Sequence, residues 1–190
     1  LMQSYLDGVG VLPNPWPRTA RENLITLIGA GFPMVRIWEG LDQEEILFHW
    51  LPEWRSVRSL PQRNVLHRHT VDRHMVETAV FAAALTRSVH RPDLLLFAAL
   101  FHDLGKGTQE DHSERGEKLI EPLARRIGFS ESDIATLKLL VKYHLLLSAT
   151  ATRRDLDDPA TIASVVAVIP DLQTLELLHA LSIADGQATG

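Results

Sequence analysis

The residues of this chain best suited to chemistry are histidines and aspartates: His74, the doublet His102-Asp103, His112, His144 and Asp185. Imidazole nitrogens and carboxylate oxygens bind divalent ions. According to the full set of ligands they suit Zn, Fe, Mn or Mg, and a histidine-rich set disfavours Mg. The chain has no cysteine, so a metal here must rest on His, Asp or Glu. Nine histidines in 190 residues is a high count. His49, His90 and His179 fall into no pattern and read as structural or surface side chains. Taken singly, any one histidine is more often satisfied or solvated than a ligand. It is the distribution that points to a centre. Each of these positions falls on, or at the end of, a different expected helix beside apolar neighbours, and helical bundles build metal sites from ligands on several helices.

The doublet closes the stretch 94–108, LLLFAALFHDLGKGT, which begins as an unbroken apolar run and ends in two glycines around Lys106. Its apolar part reads as a buried helix starting at Pro92 or Asp93. Adjacent residues on a helix project about 100° apart, so His102 and Asp103 share an ion only if the helix axis points at it. The plainer alternative is a C-cap closed by Gly105. Around this stretch the pattern predicts further helices. Thr19 and Glu22 form a capping box for a helix over 20–28. Pro33 starts a short helix that stops at Gly40. Asp42 and Glu45 repeat the capping pattern before a helix that breaks at Pro52. Trp38, Trp50 and Trp54 read as core anchors. A loop over 60–71 leads to a helix over 71–88 that carries His74 in its first turns, with Asp72 as its N-cap. Helices follow from Asp111 or His112 to 127, over 131–147 behind Ser130, from Asp158-Pro159 to about 169, and from Pro170-Asp171 to about 185. The β-branched run 164–169 is the one strand candidate, and its Asp-Pro start favours helix. The fold class is all-α.

Composition is that of an ordinary globular protein, 45% hydrophobic and 23% charged. A net charge of −5 argues against a nucleic-acid binder held by blanket electrostatics. No apolar run approaches the roughly 18 residues of a membrane span, and 1–10 lacks the basic and apolar regions of a signal peptide. A soluble, cytoplasmic protein is expected. The start at Leu1 and the end at Ala188-Thr189-Gly190 lead us to expect a piece of a longer chain.

The order His74, His102-Asp103, Asp185 resembles the His…His-Asp…Asp pattern of the HD-domain metal-dependent phosphohydrolases. His102-Asp-Leu-Gly-Lys106 is similar to their HD[IL]GK signature. His112-Ser-Glu-Arg-Gly116 resembles the HSExG of two-metal members, and Lys142-Tyr-His144 their later histidine. Three stretches resemble one subgroup more closely, the bacterial PII uridylyltransferase/uridylyl-removing enzymes. These are Thr70-Val-Asp-Arg-His74, Leu51-Pro-Glu-Trp54 and Ala184-Asp185-Gly-Gln-Ala188-Thr189-Gly190. The chain departs from that subgroup at Gly186-Gln187, where Ile-Arg is usual.

The resemblance implies an HD-domain helical bundle over 61–190 behind a small helical lead-in over 1–60. It implies one or two divalent ions, the first on His74, His102, Asp103 and Asp185. His112 and His144 would hold the second, with Asp103 bridging. Asp103 and Lys106 would be catalytic, Lys106 neutralising phosphoryl charge. Lys106, His67, His69 and Arg115 would touch substrate. The implied reaction removes UMP or AMP from a tyrosine of the PII signalling protein. The nucleotide is a product, and neither nucleic acid nor membrane is a partner. The resemblance also implies flanking nucleotidyltransferase and glutamine-sensing ACT domains in the full-length chain. This piece carries no Gly-Ser nucleotidyltransferase motif. Two alternatives stay open. One is a stand-alone HD nucleotide phosphohydrolase or phosphodiesterase, although the GYP motif of the cyclic-di-GMP enzymes is absent and a (p)ppGpp hydrolase would not need His112 and His144. The other is a regulatory HD module without turnover.

Overall fold

A computed structural model describes residues 10, 12–62 and 69–189. Among these residues it is a bundle of α-helices with no strand. In chain order the helices are α1 (Arg18–Ile28), α2 (Phe32–Gln43), the single turn α3 (Leu47–Trp50), α4 (Val71–Ala84), α5 (Pro92–Phe101), α6 (His112–Ile127), α7 (Glu131–Tyr143), α8 (Leu146–Arg153), α9 (Pro159–Val166) and α10 (Leu172–Thr189). Short 3-10 turns at Pro52–Ser56 and Thr86–Ser88 join them.

α5 is the axis. All eight of its residues from Leu94 to Phe101 are buried, and α1, α4, α7 and α10 pack round it. A helix that is apolar on every side can only be central. α6 pairs with α7 beside it, and α4 with α10. One continuous apolar core runs from Trp16 through Trp38 and Trp54 to Ala184, so the lead-in and the later helices share it. Trp38 and Trp54 meet edge to face, with ring centroids 5.1 Å apart, and Trp50 is a partly buried neighbour. Polar contacts fasten the lead-in to α6. Trp16 N donates to Arg126 O at 2.8 Å, and the Arg126 guanidinium binds Trp50 O at 2.6 Å and the Glu53 carboxylate at 2.6 and 2.7 Å.

Several expected caps hold. Asp111 accepts from Ser113 N and Glu114 N, and Ser130 from Asp133 N. Asp158 accepts from Ala160 N, and Gly128 closes α6 in the left-handed conformation at φ 90°. The two lead-in capping boxes do not form. α1 begins at Arg18 after Pro17, and Glu22 takes the Arg18 guanidinium at 2.6 Å. Asp42 lies inside α2, which runs past Gly40 to Gln43, and its carboxylate binds Arg58 at 2.9 Å. In both places a cation in reach outcompetes the local backbone N–H. Asp72 is likewise not a cap. It sits in the first turn of α4 and accepts from Ser59 N at 2.7 Å, which fastens the lead-in to that helix. The helix expected over 131–147 is two, broken at His144-Leu145. The last helix runs one turn further than expected, to Thr189. The run 164–169 is helical as far as Val166. The combined stretch Glu131–Arg153 is apolar and long enough to cross a membrane by length and composition, but it buries Ile134, Leu137, Leu140 and Val141 in the bundle.

Arg91 joins the starts of α5 and α7, donating to Asp93 at 2.8 and 2.9 Å and to Asp133 at 2.5 Å. Burial pushes the Asp133 carboxyl up, but its bonds from Arg91 and Ser130 outweigh this and hold it below the usual carboxylate value. A depressed folded-state pKa adds stability above the unfolded pKa, near 4. That stability is lost as pH falls through the folded-state value. Arg91→Ala is therefore expected to lower Tm at pH 7 and to flatten its decline between pH 5 and 3, measured by calorimetry in metal-free buffer. An unchanged slope would show that the pair contributes nothing.

Candidate metal centre

The six candidate ligands converge where α4, α5, α6, α7 and α10 meet, and the way each helix ends explains how. α5 stops at Phe101 with His102 as its C-cap, and Leu104 N and Lys106 N turn back to Phe101 O and Asp103 O. The axis of the buried helix thus points the doublet at one spot. α7 ends in the same way, with His144 as its C-cap. The last carbonyls of a helix lack intrahelical donors, and each histidine answers one of its own helix. His102 Nδ1 donates to Ala99 O at 2.9 Å, and His144 Nδ1 to Val141 O at 2.7 Å. A carbonyl can only accept, so both rings carry a proton on Nδ1 and turn Nε2 toward the centre. Metal-binding histidines are oriented in this way. Ser182, on α10 just ahead of Asp185, donates to His144 O at 3.3 Å across the α7–α8 break.

Two groups of ligand atoms result. In the first, Asp185 Oδ1 lies 2.9 Å from His74 Nε2 and 3.6 Å from His102 Nε2. Asp103 Oδ2 lies 3.7 and 3.4 Å from the same two nitrogens. In the second, Asp103 Oδ1 lies 3.8 Å from His112 Nε2 and 3.7 Å from His144 Nε2. Asp103 thus faces both groups, one oxygen to each. His74, His102, Asp103 and His144 are almost fully buried.

The buried carboxylates and imidazoles shift one another strongly. Burial pushes the Asp103 and Asp185 carboxyls up, but the neighbouring imidazoles outweigh it and hold both well below the usual range. Burial pulls His102 down, and the two carboxylates overcome this to raise it to about 10. Burial and the adjacent His102 drive His144 down to about 4, which leaves it a neutral donor. His102 Nε2 and Asp103 Oδ1 are buried and make no hydrogen bond. Buried polar atoms are normally paired, so the site lacks a central partner. Nitrogen and oxygen ligands at these spacings could hold a divalent ion.

Two glycines bring α6 up to the doublet. A Cβ on Gly105 would lie 2.0 Å from His112 O and 2.6 Å from Gly116 N, and one on Gly116 would lie 2.8 Å from Val141 Cγ1. The HDLGK and HSERG stretches are thus packed backbone to backbone, which sets His112 beside Asp103. Arg115 reinforces this contact, donating to Gly105 O at 3.0 Å and Lys106 O at 3.3 Å. Lys106 lies 2.6 Å from Asp103 Oδ2 and donates to Gln62 Oε1 at 2.8 Å.

The centre forms the floor of an open cavity of about 800 Å³, with Lys106 and Gln62 on its wall. His69 is not among its described lining residues, and His67 lies outside the described residues. Arg153 and Gln62 line the cavity but were not singled out in the sequence. Arg153 stands in an Arg-Arg pair one short helix after His144. That pairing was the available signal, whereas nothing local marks Gln62.

An all-helical bundle with a His-Asp doublet at the end of its central helix defines a class. The HD-domain model matches residues 71–185, from the start of α4 to the last candidate ligand. The chain belongs to the HD-domain family. It is 58% identical over 179 residues to the bifunctional uridylyltransferase/uridylyl-removing enzyme of Streptomyces coelicolor, an alignment covering 94% of this chain and 21% of that protein. The enzyme of the same name from Mycobacterium tuberculosis is 52% identical over 180 residues, 94% of this chain and 22% of that protein. The one from Corynebacterium glutamicum is 33% identical over 180 residues, 94% and 26%. The chain thus spans about a fifth to a quarter of the length of these relatives.

Proposed function

We propose that this chain is the nucleotidyl-removing unit of a larger bifunctional enzyme, a metal-dependent phosphodiesterase that releases a nucleoside monophosphate from a tyrosine of the PII protein. The observation that carries the reading is Asp103, a buried carboxylate facing two groups of imidazoles with one oxygen each. The relatives' names, which pair uridylyl transfer with uridylyl removal, supply the substrate class.

His74, His102, Asp103 and Asp185 would hold one divalent ion, and His112 and His144 a second shared through Asp103. Mn, Fe and Zn suit these ligands better than Mg. Such ions supply hydroxide at neutral pH and offset phosphoryl charge. The residues do the rest. Two carboxylates cannot cancel two dications, so the cavity floor favours an anionic diester. Nδ1 donation to Ala99 O and Val141 O holds both rings with Nε2 turned to the centre. Lys106 Nζ stands over Asp103 and places a fixed positive charge at the cavity wall, where charge grows on the non-bridging oxygens. Water adds to phosphorus, the P–O bond to the tyrosine breaks, and nucleoside monophosphate and free tyrosine leave. A phenol with pKa near 10 departs with little protonation, so no general acid is assigned. Arg115 supports the Lys106 loop through its carbonyl bonds. Nucleotidyltransferase and ACT domains in the full-length protein, and a cytoplasmic setting, go with this reading.

The test is nucleotide release from nucleotidylated PII by the purified chain. Release with Mn²⁺ and none with chelator is expected, and chromatography of the product distinguishes UMP from AMP. Cleavage of a generic aryl phosphodiester with no release from PII would refute the substrate assignment.

A further inference from the structure

The cavity carries more hydrogen-bond donors than metal binding and Lys106 use. Gln62 Oε1 accepts from Lys106 Nζ at 2.8 Å. An ammonium can only donate, so this contact fixes which way the amide points. The NH2 group is turned away from Lys106, and Nε2 is buried without a hydrogen-bond partner. A buried donor left unpaired is costly, so the position calls for an acceptor. Arg153, at the end of α8, lines the same cavity. It makes no ion pair or hydrogen bond among the described residues. Arg115, the other guanidinium near the HD loop, is already engaged with two carbonyls. The acids of the wall are Asp103 and Asp185, and both already face imidazoles. Beside the polar Thr108 and Gln109, the positive charge and the unpaired donor of the wall come from Lys106, Arg153 and Gln62.

We propose that Gln62 and Arg153 form, with Lys106, a donor-only subsite that holds the nucleoside monophosphate half of the diester beside the metal centre. This rests on the nucleotidyl-removing reading and names the residues that recognise its product. Lys106 and Arg153 both line the cavity and suit an anion. Gln62 Nε2 donates to an oxygen acceptor, either a phosphoryl oxygen or a base carbonyl. Gln62 lies just before α4 and Arg153 between α7 and α10, so the subsite draws on segments far apart in sequence.

The experiment is calorimetric titration of the metal-loaded chain with UMP and with inorganic phosphate, for the wild type, Gln62→Glu, Arg153→Met and Arg153→Lys. Gln62→Glu keeps an acceptor for Lys106 while replacing the donor with an anion. Gln62→Glu and Arg153→Met are each expected to weaken UMP binding by about tenfold or more, the scale of one charge-assisted hydrogen bond. Metal content and helical circular dichroism should be unchanged, Arg153→Lys should recover part of the loss, and phosphate binding should change less than UMP binding. UMP affinity unchanged in both Gln62→Glu and Arg153→Met, or no UMP binding by the wild type, would overturn the subsite. Equal losses for UMP and phosphate would overturn its nucleoside selectivity. Wild-type UMP binding that depends on Gln62 and Arg153, without release from PII, would uphold the subsite and refute the nucleotidyl-removing reading.

Discussion

Asp103→Ala is expected to abolish phosphodiester hydrolysis, with kcat/KM falling by about 10³-fold or more. The reason is positional. Asp103 Oδ2 faces His74 and His102 while Oδ1 faces His112 and His144, so one side chain belongs to both groups of ligand atoms. Removing any other candidate ligand thins one group, whereas removing Asp103 thins both and takes away half of the carboxylate charge. Metal ions contribute several kcal/mol to such reactions, and about 1.36 kcal/mol corresponds to a factor of ten. Asp103→Asn separates charge from shape. It keeps the volume and one oxygen but loses the anion that balances His102 and Lys106, and should be nearly as inactive. Steady-state hydrolysis of an aryl phosphodiester, with metal content measured on the same samples, checks both variants. Activity within tenfold of wild type in Asp103→Ala would show that the two groups do not act as one centre.

Gly105→Ala is the second large effect, and it acts on both folding and chemistry. The added methyl would lie 2.0 Å from His112 O and 2.6 Å from Gly116 N. Both are backbone atoms, so no rotamer change relieves the clash, and α6 must move away from the HD turn. Overpacking costs typically 1–3 kcal/mol and sometimes more, and we expect about 3 kcal/mol here. For a chain of this size that lowers Tm by about 6–12 °C. The movement carries His112 away from Asp103 but leaves His74, His102 and Asp185 where they are. The expected phenotype is a destabilised protein that loses the second ion before the first. Gly40→Ala is the control. It lies in the interior of α2, where an added Cβ meets nothing within 4 Å. Ala there should stabilise by about 0.5–1 kcal/mol. Thermal melts with metal quantification check the pair. A Gly105→Ala protein with wild-type Tm would contradict the close backbone contact.

What the sequence made legible was the part that depends on pattern along the chain. The all-helical class followed from apolar periodicity, and the starts of α6, α7 and α9 from Asp111, Ser130 and Asp158, each of which caps as expected. The six candidate ligands were named from residue type and order, and the structure brings their ligand atoms together. What was not legible depends on partners distant in sequence. Thr19/Glu22 and Asp42/Glu45 look like capping boxes, but Arg18 and Arg58 draw the acids away. The break at His144 is invisible in an apolar stretch that continues through Leu147, because it is set by the carbonyl contact of the ring and by Ser182 from α10. Gln62 carries no local signal, and its role appears only where the chain folds it against Lys106. The departure at Gly186 costs no packing, since a Cβ there would meet open space.

We propose that Asp103 joins two ions into one centre. The most direct test is a crystal structure of the chain grown with Mn²⁺, with ions located by anomalous scattering. Two peaks about 3.5–4 Å apart are expected. Asp103 should place one oxygen on each, with His74, His102 and Asp185 on one ion and His112 and His144 on the other. A single peak held by His74, His102, Asp103 and Asp185, with His112 and His144 unligated at saturating Mn²⁺, would contradict it.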